Sequence, residues 1–425
     1  MSIASMFEDF LTNLRVDNAD EISRRYETIT CSLNKRFRNN DEKFRNRLQV
    51  GSYGRFTAIK GISDLDMLYI MPDSTRGNYW LHGQYKLLSE VKEAIQKRYS
   101  STNIKVDRLV VCVTFTNFYI EVQPVFEQED GSFLYPDTYC GGSWKKTDPR
   151  KEIQATKEFD NQIFRHLCKM VRAWKNKCGV VMGGLLIDTL VYNFLRDNRN
   201  YDGKSYSVYH LLSLKFFEFI AGLADQEYFL ALGSNQRVKV TSKFQREAKK
   251  AYDLCLDAIE SDEDHIAYKK WRKIYGYYFP APARNIANES LSLPYSFENT
   301  EEFIERDFSV DIRYSLELDC IVTQNGYRPF FLRLFKGFLA ANKDLEFNAS
   351  NIDVPCPYIL KWKVLNIGRE AERKNCIRGQ IFDDKGYKQI KEKTSFSGNH
   401  LVECYVIKDN VVVARQSIIV PIEIK

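Results

Sequence analysis

A buried strand that opens on two acids leaves a chain few ways to fold. In GSYGRFTAIKGISDLDMLYIMP (residues 51–72), a Gly-Ser turn and a basic loop lead to Asp64-Leu65-Asp66, and Leu65 to Met71 reads as a strand. Residues i and i+2 of a strand share a face, so Asp64 and Asp66 point the same way. Two carboxylates a few ångströms apart repel unless a cation sits between them. Hard oxygen ligands favour magnesium or manganese. A third acid, Glu121, stands in the otherwise apolar IEVQPVF. On an adjacent strand it would complete a clamp for two Mg²⁺ (or Mn²⁺) ions, one activating an attacking hydroxyl and the other neutralising a departing pyrophosphate. Gly51 would let the backbone approach a triphosphate, and Ser52 would donate to a phosphate oxygen. The plain alternatives are solvated turn residues at Asp64 and Asp66 and an edge-strand surface residue at Glu121. A bare DxD is common, but turn, basic loop, paired acids and apolar strand together favour the metal reading.

Two helices precede this motif. Ile3, Met6, Phe7, Phe10, Leu11 and Leu14 share one helical face, and Ile22, Tyr26, Ile29, Leu33 and Phe37 form the stripe of a second helix. Asn18 with Glu21 resembles a capping box for the second. Val106 to Thr114 and Phe118 to Phe126 predict a strand pair turning at Thr116-Asn117. A helix over Phe159 to Lys177 buries Ile163, Leu167, Met170, Val171 and Trp174, and its other face carries Arg165, Lys169, Arg172 and Lys175. More helices fill the region to about Tyr275. Tyr278 to Pro294 holds three prolines and little periodicity, as a linker does. Beyond it, Ile312 to Leu318 alternates, and 360–365, 377–382, 401–407 and 411–419 are further strand candidates. Short strands without intervening helices suggest a β-sandwich.

The chain has 425 residues, enough for two or three domains at about 150 residues each. Aromatics at 14% exclude disorder for most of it. Sixty-two basic against 56 acidic residues leave +6, which permits an anionic ligand without demanding one. Glu8 and Asp9 interrupt the apolar start, unlike a signal peptide. The most apolar stretch, Cys178 to Phe194, is short for a membrane span and contains Asp188. Ten cysteines with no CxxC pair read as reduced thiols of a cytoplasmic protein.

The combined pattern resembles the polymerase-β-like nucleotidyltransferases and, within them, the bacterial cGAS/DncV-like nucleotidyltransferases (CD-NTases) of the SMODS group. Further matching segments are RHLCKMVRAWK, GGLLIDTLVYNFL, FLALGSNQRV and WRKIYGYYFP. The C-terminal stretches VPCPYILKWKVLNIGREA, IRGQI and GNHLVECYVIKD resemble the AGS-C sensor module. The resemblance implies an α+β fold. A polymerase-β-like core with a helical lobe would occupy residues 1–285, a linker 286–299, and a β-rich AGS-C-like sensor 300–425. It makes Gly51 and Ser52 the phosphate-binding turn, Asp64 and Asp66 the first two metal ligands, and Glu121 the third, three residues before a proline. Many relatives have aspartate there. The helix with Trp174 would present a basic residue to the donor triphosphate, with Arg172 and Lys169 the nearest candidates against a merely solvated face. Gly183 and Gly184 would contact phosphate or ribose, or serve close helix packing. Tyr206, Tyr228 and Phe229 are candidate base-stacking residues, though aromatics of a helical domain are more often core.

What the resemblance implies is a synthase that joins NTPs into a cyclic oligonucleotide second messenger and releases pyrophosphate, within a CBASS anti-phage system whose separate effector the product activates. The C-terminal domain would sense a nucleotide or another ligand; Trp362, Arg378 and His400 would serve such a site, or form its core. Asn34 to Lys60, with eight basic residues and two acids, would suit nucleic acid, but part of it is the active-site loop, so a dedicated nucleic-acid site is not favoured. No membrane partner is implied. The same acids would serve an enzyme that modifies RNA or protein. A nucleotide-sensing regulator with weak catalysis is the third reading.

Overall fold

The computed structural model describes residues 2–62, 64–159, 161–261, 264–280, 300–324 and 326–423. They fall into two compact units, Met1–Asn288 and Glu289–Lys425. The stretch 286–299, read above as a linker, lies outside the described residues.

In the first unit, α1 (Ile3–Asn13) starts at Ser2, whose hydroxyl accepts from the Ser5 amide at 3.2 Å. Its apolar stripe enters an aromatic cluster, with Phe7 5.1 Å from Trp271 and Phe10 4.8 Å from Tyr275. α2 (Ala19–Arg38) has no side-chain cap: Asn18 makes no capping bond, and Glu21 pairs with Arg25 at 3.2 Å. The capping box read from the sequence is not formed.

The sheet of this unit contains β1 (Arg47–Gln49), β2 (Asp64–Ile70), β3 (Asn103–Val106), β4 (Val111–Thr114), β5 (Tyr119–Glu127), β6 (Phe133–Asp137) and β7 (Ser143–Thr147). Its order is β1-β2-β5-β4-β3, and β6 joins β5 to β7. Only β2 and β5 run parallel among these neighbours, Asp66 pairing with Glu121. The single strand expected over Val106 to Thr114 is two, because the chain turns where the Asp107 amide donates to the Val110 carbonyl at 2.9 Å.

Alternation along β2 decides which face is which. Leu65, Met67 and Tyr69 pack against Ile22, Tyr26, Ile29 and Leu33 of α2 and against α4 (Gln84–Gln96). The acids therefore face the other side, beside the short α3 (Gly51–Gly54). A helical lobe follows: α5 (Pro149–Ala155), α6 (Asn161–Cys178), α7 (Gly184–Arg196), α8 (Tyr209–Ala221), α9 (Gln245–Ile259) and α10 (Asp264–Tyr275), with a small ribbon of β8 (Tyr228–Leu230) and β9 (Arg237–Lys239). Its core takes in the apolar faces of α1, α6 and α7, including fully buried Trp174.

The second unit is a sandwich of two sheets. One has the order β10-β18-β17-β14-β15, from β10 (Ser309–Val310), β14 (Ile359–Leu365), β15 (Arg378–Asp383), β17 (Gly398–Lys408) and β18 (Val411–Ile422). The other has the order β12-β11-β13-β16, from β11 (Glu317–Thr323), β12 (Phe330–Phe331), β13 (Asp344–Ser350) and β16 (Gln389–Lys393). The alternation at Ile312 to Leu318 becomes a strand only from Glu317; before it, the amides of Asp311 and Arg313 donate to Val412 and Val413 outside any named strand. Side chains from both sheets fill one core around Trp362.

A buried ion network ties this sandwich together. Arg415 donates to Glu403 at 2.5 Å and Glu305 at 3.2 Å, and Lys363 to Glu301 at 2.6 Å. Tyr405 donates to Glu403 at 2.7 Å. Breaking such a cluster from one side strands a buried charge, so Glu403→Gln should destabilise the protein by about 3 kcal/mol. The midpoint of urea unfolding, followed by a probe in the sandwich, checks this.

Candidate active site

Parallel pairing of β2 with β5 sets Asp64 beside Tyr119 and Asp66 beside Glu121. Strand neighbours lie about 4.8 Å apart, so Asp64, Asp66, Tyr119 and Glu121 share one patch of one face. Asp64 is exposed, while Asp66 and Glu121 are half-buried. Burial, partly offset by Arg55 and reinforced by Asp64, pushes the Asp66 carboxyl up to about 6. Glu121 is also raised, first by burial and then by Asp66, Asp64 and Asp107. The Tyr119 phenol is raised by burial and by Asp64 and Glu121. Among the described residues, no three His, Cys, Asp or Glu side chains are already gathered as a metal-binding group. The carboxylates nonetheless feel one another's charge, and that mutual repulsion is what a divalent cation relieves.

The Gly-Ser turn is built around Asp66. The Val50 amide donates to the Asp66 carbonyl at 3.2 Å, and Gly51 takes φ +64°. A Cβ at Gly51 would lie 1.7 Å from Asp66 Oδ2, and one at Gly54 would lie 2.3 Å from the Gln49 carbonyl oxygen. Only glycine lets the turn close over the carboxylate in this way. The Ser52 carbonyl accepts from the amides of Thr57 at 2.9 Å and Ala58 at 3.1 Å, folding the basic loop back on the turn. From the opposite side, Tyr26 of α2 donates its hydroxyl to the Asp66 carbonyl at 3.0 Å. The donor set is hard oxygen, and the glycine cradle leaves room for nothing larger than hydrogen beside Asp66. The hard-oxygen donor set fits a divalent cation.

The basic face of α6 divides. Arg172 is 7% exposed, donating to Asp188 at 2.6 Å and to the Gly184 carbonyl at 3.0 Å. Its guanidinium is thus held by Asp188 and by backbone carbonyls of Gly184 and Cys168. Lys169 lies in the field of Arg165, Arg15 and Arg172, and burial with these cations pushes its ammonium down to about 8. Arg165 stacks over the Phe56 ring at 4.3 Å. Lys175 feels Asp64: burial and Arg172 lower its ammonium, and Asp64 opposes them. Sequence reasoning had Lys175 on this face but did not single it out. It had no signal for Tyr119 beyond its place two residues before Glu121.

Gly183 caps α7 with φ −68°, and a Cβ at Gly184 would lie 3.3 Å from an Arg172 nitrogen. The closeness of Gly184 thus serves the packing of Arg172. Of the aromatics considered for stacking, Tyr206 stacks on His166 at 5.6 Å and Tyr228 lies under Arg237 at 4.6 Å; Phe229 is buried. The residues considered in the sandwich each have a partner within it, Arg378 at the surface. Trp362 is fully buried and donates to Asp384 at 2.9 Å; Arg378 grips Glu392 at 2.7 and 2.8 Å. The buried His400 ring accepts from the Ile367 amide at 3.2 Å and contacts the Phe396 carbonyl at 3.0 Å. No helix among the described residues is long and apolar enough to cross a membrane.

Residues 1–160 match the Second Messenger Oligonucleotide or Dinucleotide Synthetase domain, and residues 298–423 match the Adenylyl/Guanylyl and SMODS C-terminal sensor domain. A cytidylate cyclase of Staphylococcus aureus is 26% identical over 130 residues, 29% of this chain and 28% of that protein. This chain therefore spans just over a quarter of that relative's length. A cyclic AMP-AMP-AMP synthase of an Acinetobacter species is 22% identical over 268 residues, 57% of this chain and 75% of that protein. The solved CdnC:HORMA-deltaN complex of Escherichia coli superimposes with a TM-score of 0.52 at 15% identity, covering 65% of this chain and 98% of that one. That likeness speaks to the fold, which is the polymerase-β-like arrangement.

Proposed function

We propose that the chain is a bacterial cGAS/DncV-like nucleotidyltransferase of the SMODS group, with an AGS-C domain towards its C-terminal end, and that it joins nucleoside triphosphates into a cyclic oligonucleotide second messenger. The observation that carries this reading is the Gly51 turn closed over Asp66 on the face that also bears Asp64 and Glu121. A 2′- or 3′-hydroxyl of one nucleotide attacks the α-phosphorus of another. The new bond is P–O, the bond to pyrophosphate breaks, and the hydroxyl proton leaves to solvent or a carboxylate. A second such step within the linear product closes the ring.

Asp64, Asp66 and Glu121 would hold two magnesium or manganese ions, which supply charge neutralisation and a more acidic hydroxyl. Gly51 and Ser52 receive the donor phosphates on backbone and hydroxyl groups. Lys175 faces the triphosphate from the helical lobe, Tyr119 borders the nucleotide beside Asp64, and Gly183 and Gly184 start the helix behind it. Arg172 and Lys169 act through their surroundings. The product would work through a separate CBASS effector, and the AGS-C domain would respond to a nucleotide or another ligand.

A charge-assisted phosphate contact is worth about 1.5–3 kcal/mol, so Lys175→Ala should raise the KM for NTP roughly ten- to a hundred-fold. Lys169→Ala should raise it less. Steady-state kinetics on both variants check the ranking. The reading as a whole is tested by supplying labelled NTPs and Mg²⁺ with and without RNA or protein. Products from NTPs alone support it; label that moves only onto an added RNA or protein replaces it with a modifying enzyme.

A further inference from the structure

Asp188 interrupts the most apolar segment of the chain and is 0% exposed. Two guanidinium groups converge on it: Arg55 Nε at 2.8 Å on Oδ2 and Arg172 Nη1 at 2.6 Å on Oδ1. The Thr57 hydroxyl also donates to Oδ2, at 3.1 Å. Arg55 reaches Glu152 of α5 at 3.2 Å, and Glu152 accepts from Ser234 at 3.1 Å. Buried ion clusters of this kind add little net stability over well-packed apolar groups. What a rigid planar carboxylate does supply is a set distance between whatever it holds.

The two oxygens of Asp188 hold different parts of the proposed site. Oδ2 takes Arg55 and Thr57, whose amides help close the phosphate turn on the Gly51 and Ser52 carbonyls at 3.2 and 2.9 Å. Oδ1 takes Arg172, one helical turn before Lys175, and the second Arg172 amino group grips the Gly184 carbonyl at 3.0 Å. A triphosphate lying on the turn and met by Lys175 has to span the gap between these parts. We infer that Asp188 is a positioning residue that fixes the spacing between the Gly51–Ser52 phosphate turn and the α6 face carrying Lys175, and so sets the grip on the donor triphosphate. This inference rests on the proposed site, but not on what product that site makes.

Asp188→Asn keeps the shape and removes the charge that both arginines share. Thr57→Val removes the hydroxyl that reaches Asp188 at 3.1 Å and the Ser52 carbonyl of the turn at 3.3 Å, and leaves every charge in place. Each is compared with the parent by binding of a fluorescent ATP analogue, Mn²⁺ titration, thermal melting and steady-state kinetics. A displacement near 1 Å can cost about a hundred-fold. Asp188→Asn should therefore weaken ATP-analogue binding at least about ten-fold and lower kcat/KM about a hundred-fold, with Mn²⁺ affinity within about two-fold of the parent. Thr57→Val should raise KM about three- to ten-fold with kcat nearly kept. Should Asp188→Asn not fold, Thr57→Val decides alone. A folded Asp188→Asn, or a Thr57→Val, that binds the analogue and turns over within two-fold of the parent overturns the inference. If the parent binds the analogue but makes no cyclic product, the proposed reaction falls and the binding comparison still judges Asp188.

Discussion

Asp66→Asn should lower turnover by at least about three orders of magnitude, equivalent to about 4 kcal/mol of transition-state stabilisation, and should at the same time stabilise the metal-free protein. The first effect follows from position. Asp66 is the carboxylate that neighbours both Asp64 and Glu121, and the Gly51 turn closes on it. Asparagine keeps the shape and loses the charge that would bind a cation.

The second effect follows from the same burial. Asp66 moves from an ordinary 3.8 to about 6 in the fold, so its charged form is disfavoured there. Below about pH 4 it is protonated in both folded and unfolded chains and costs nothing. As pH rises from about 4 through 6 the unfolded chain ionises first, and stability falls by about 3 kcal/mol for a two-unit shift. Melting in EDTA at pH 5 and pH 8 should show about half of that loss in the parent, the rest falling below pH 5, and little of it in Asp66→Asn. Adding Mn²⁺ should restore the parent alone.

Gly51→Ala should lose at least about a hundred-fold in kcat/KM while the chain still folds, because a misplaced reacting group costs that much. Two penalties fall on one methyl group. The backbone there has φ +64°, which costs an L-residue about 1–2 kcal/mol. The added carbon would sit 1.7 Å from Asp66 Oδ2, so either the turn opens or the carboxylate swings away from Glu121. Circular dichroism with NTP kinetics separates this from unfolding. Parent-like kinetics would mean the turn is not part of the site.

Much of this site is legible in the amino-acid order because its signals are local. An i, i+2 pair of acids on an apolar strand must share a face, and glycine before a carboxylate-bearing strand marks a close approach. Val106 to Thr114 misled because valines flank both sides of the turn at Asp107, and strand propensity does not see a turn whose bonds are backbone to backbone. The basic face of α6 misled for another reason. Helical period places Lys169, Arg172 and Lys175 together but cannot say which of them meets an acid, and from which element. Asp188 draws Arg172 inward from sixteen residues away, while Lys175 feels Asp64. Trp362 has the residue type that stacks on a ligand, yet it is fully buried with its indole nitrogen on Asp384, whereas Arg378 stays at the surface, paired with Glu392. Pairings across such distances are set by tertiary packing alone.

The most direct test incubates the full chain with the four NTPs and Mg²⁺ or Mn²⁺, with no RNA or protein added, and determines the mass and phosphatase sensitivity of the products. The expected product resists phosphatase, yields to a phosphodiesterase, and has the mass of two or more nucleotidyl units joined with no free terminal phosphate. It is absent from the Asp64→Asn/Asp66→Asn double variant. Product formation by the folded double variant at the parent's rate, or nucleotide transfer that occurs only when an RNA or protein is supplied, would contradict the account.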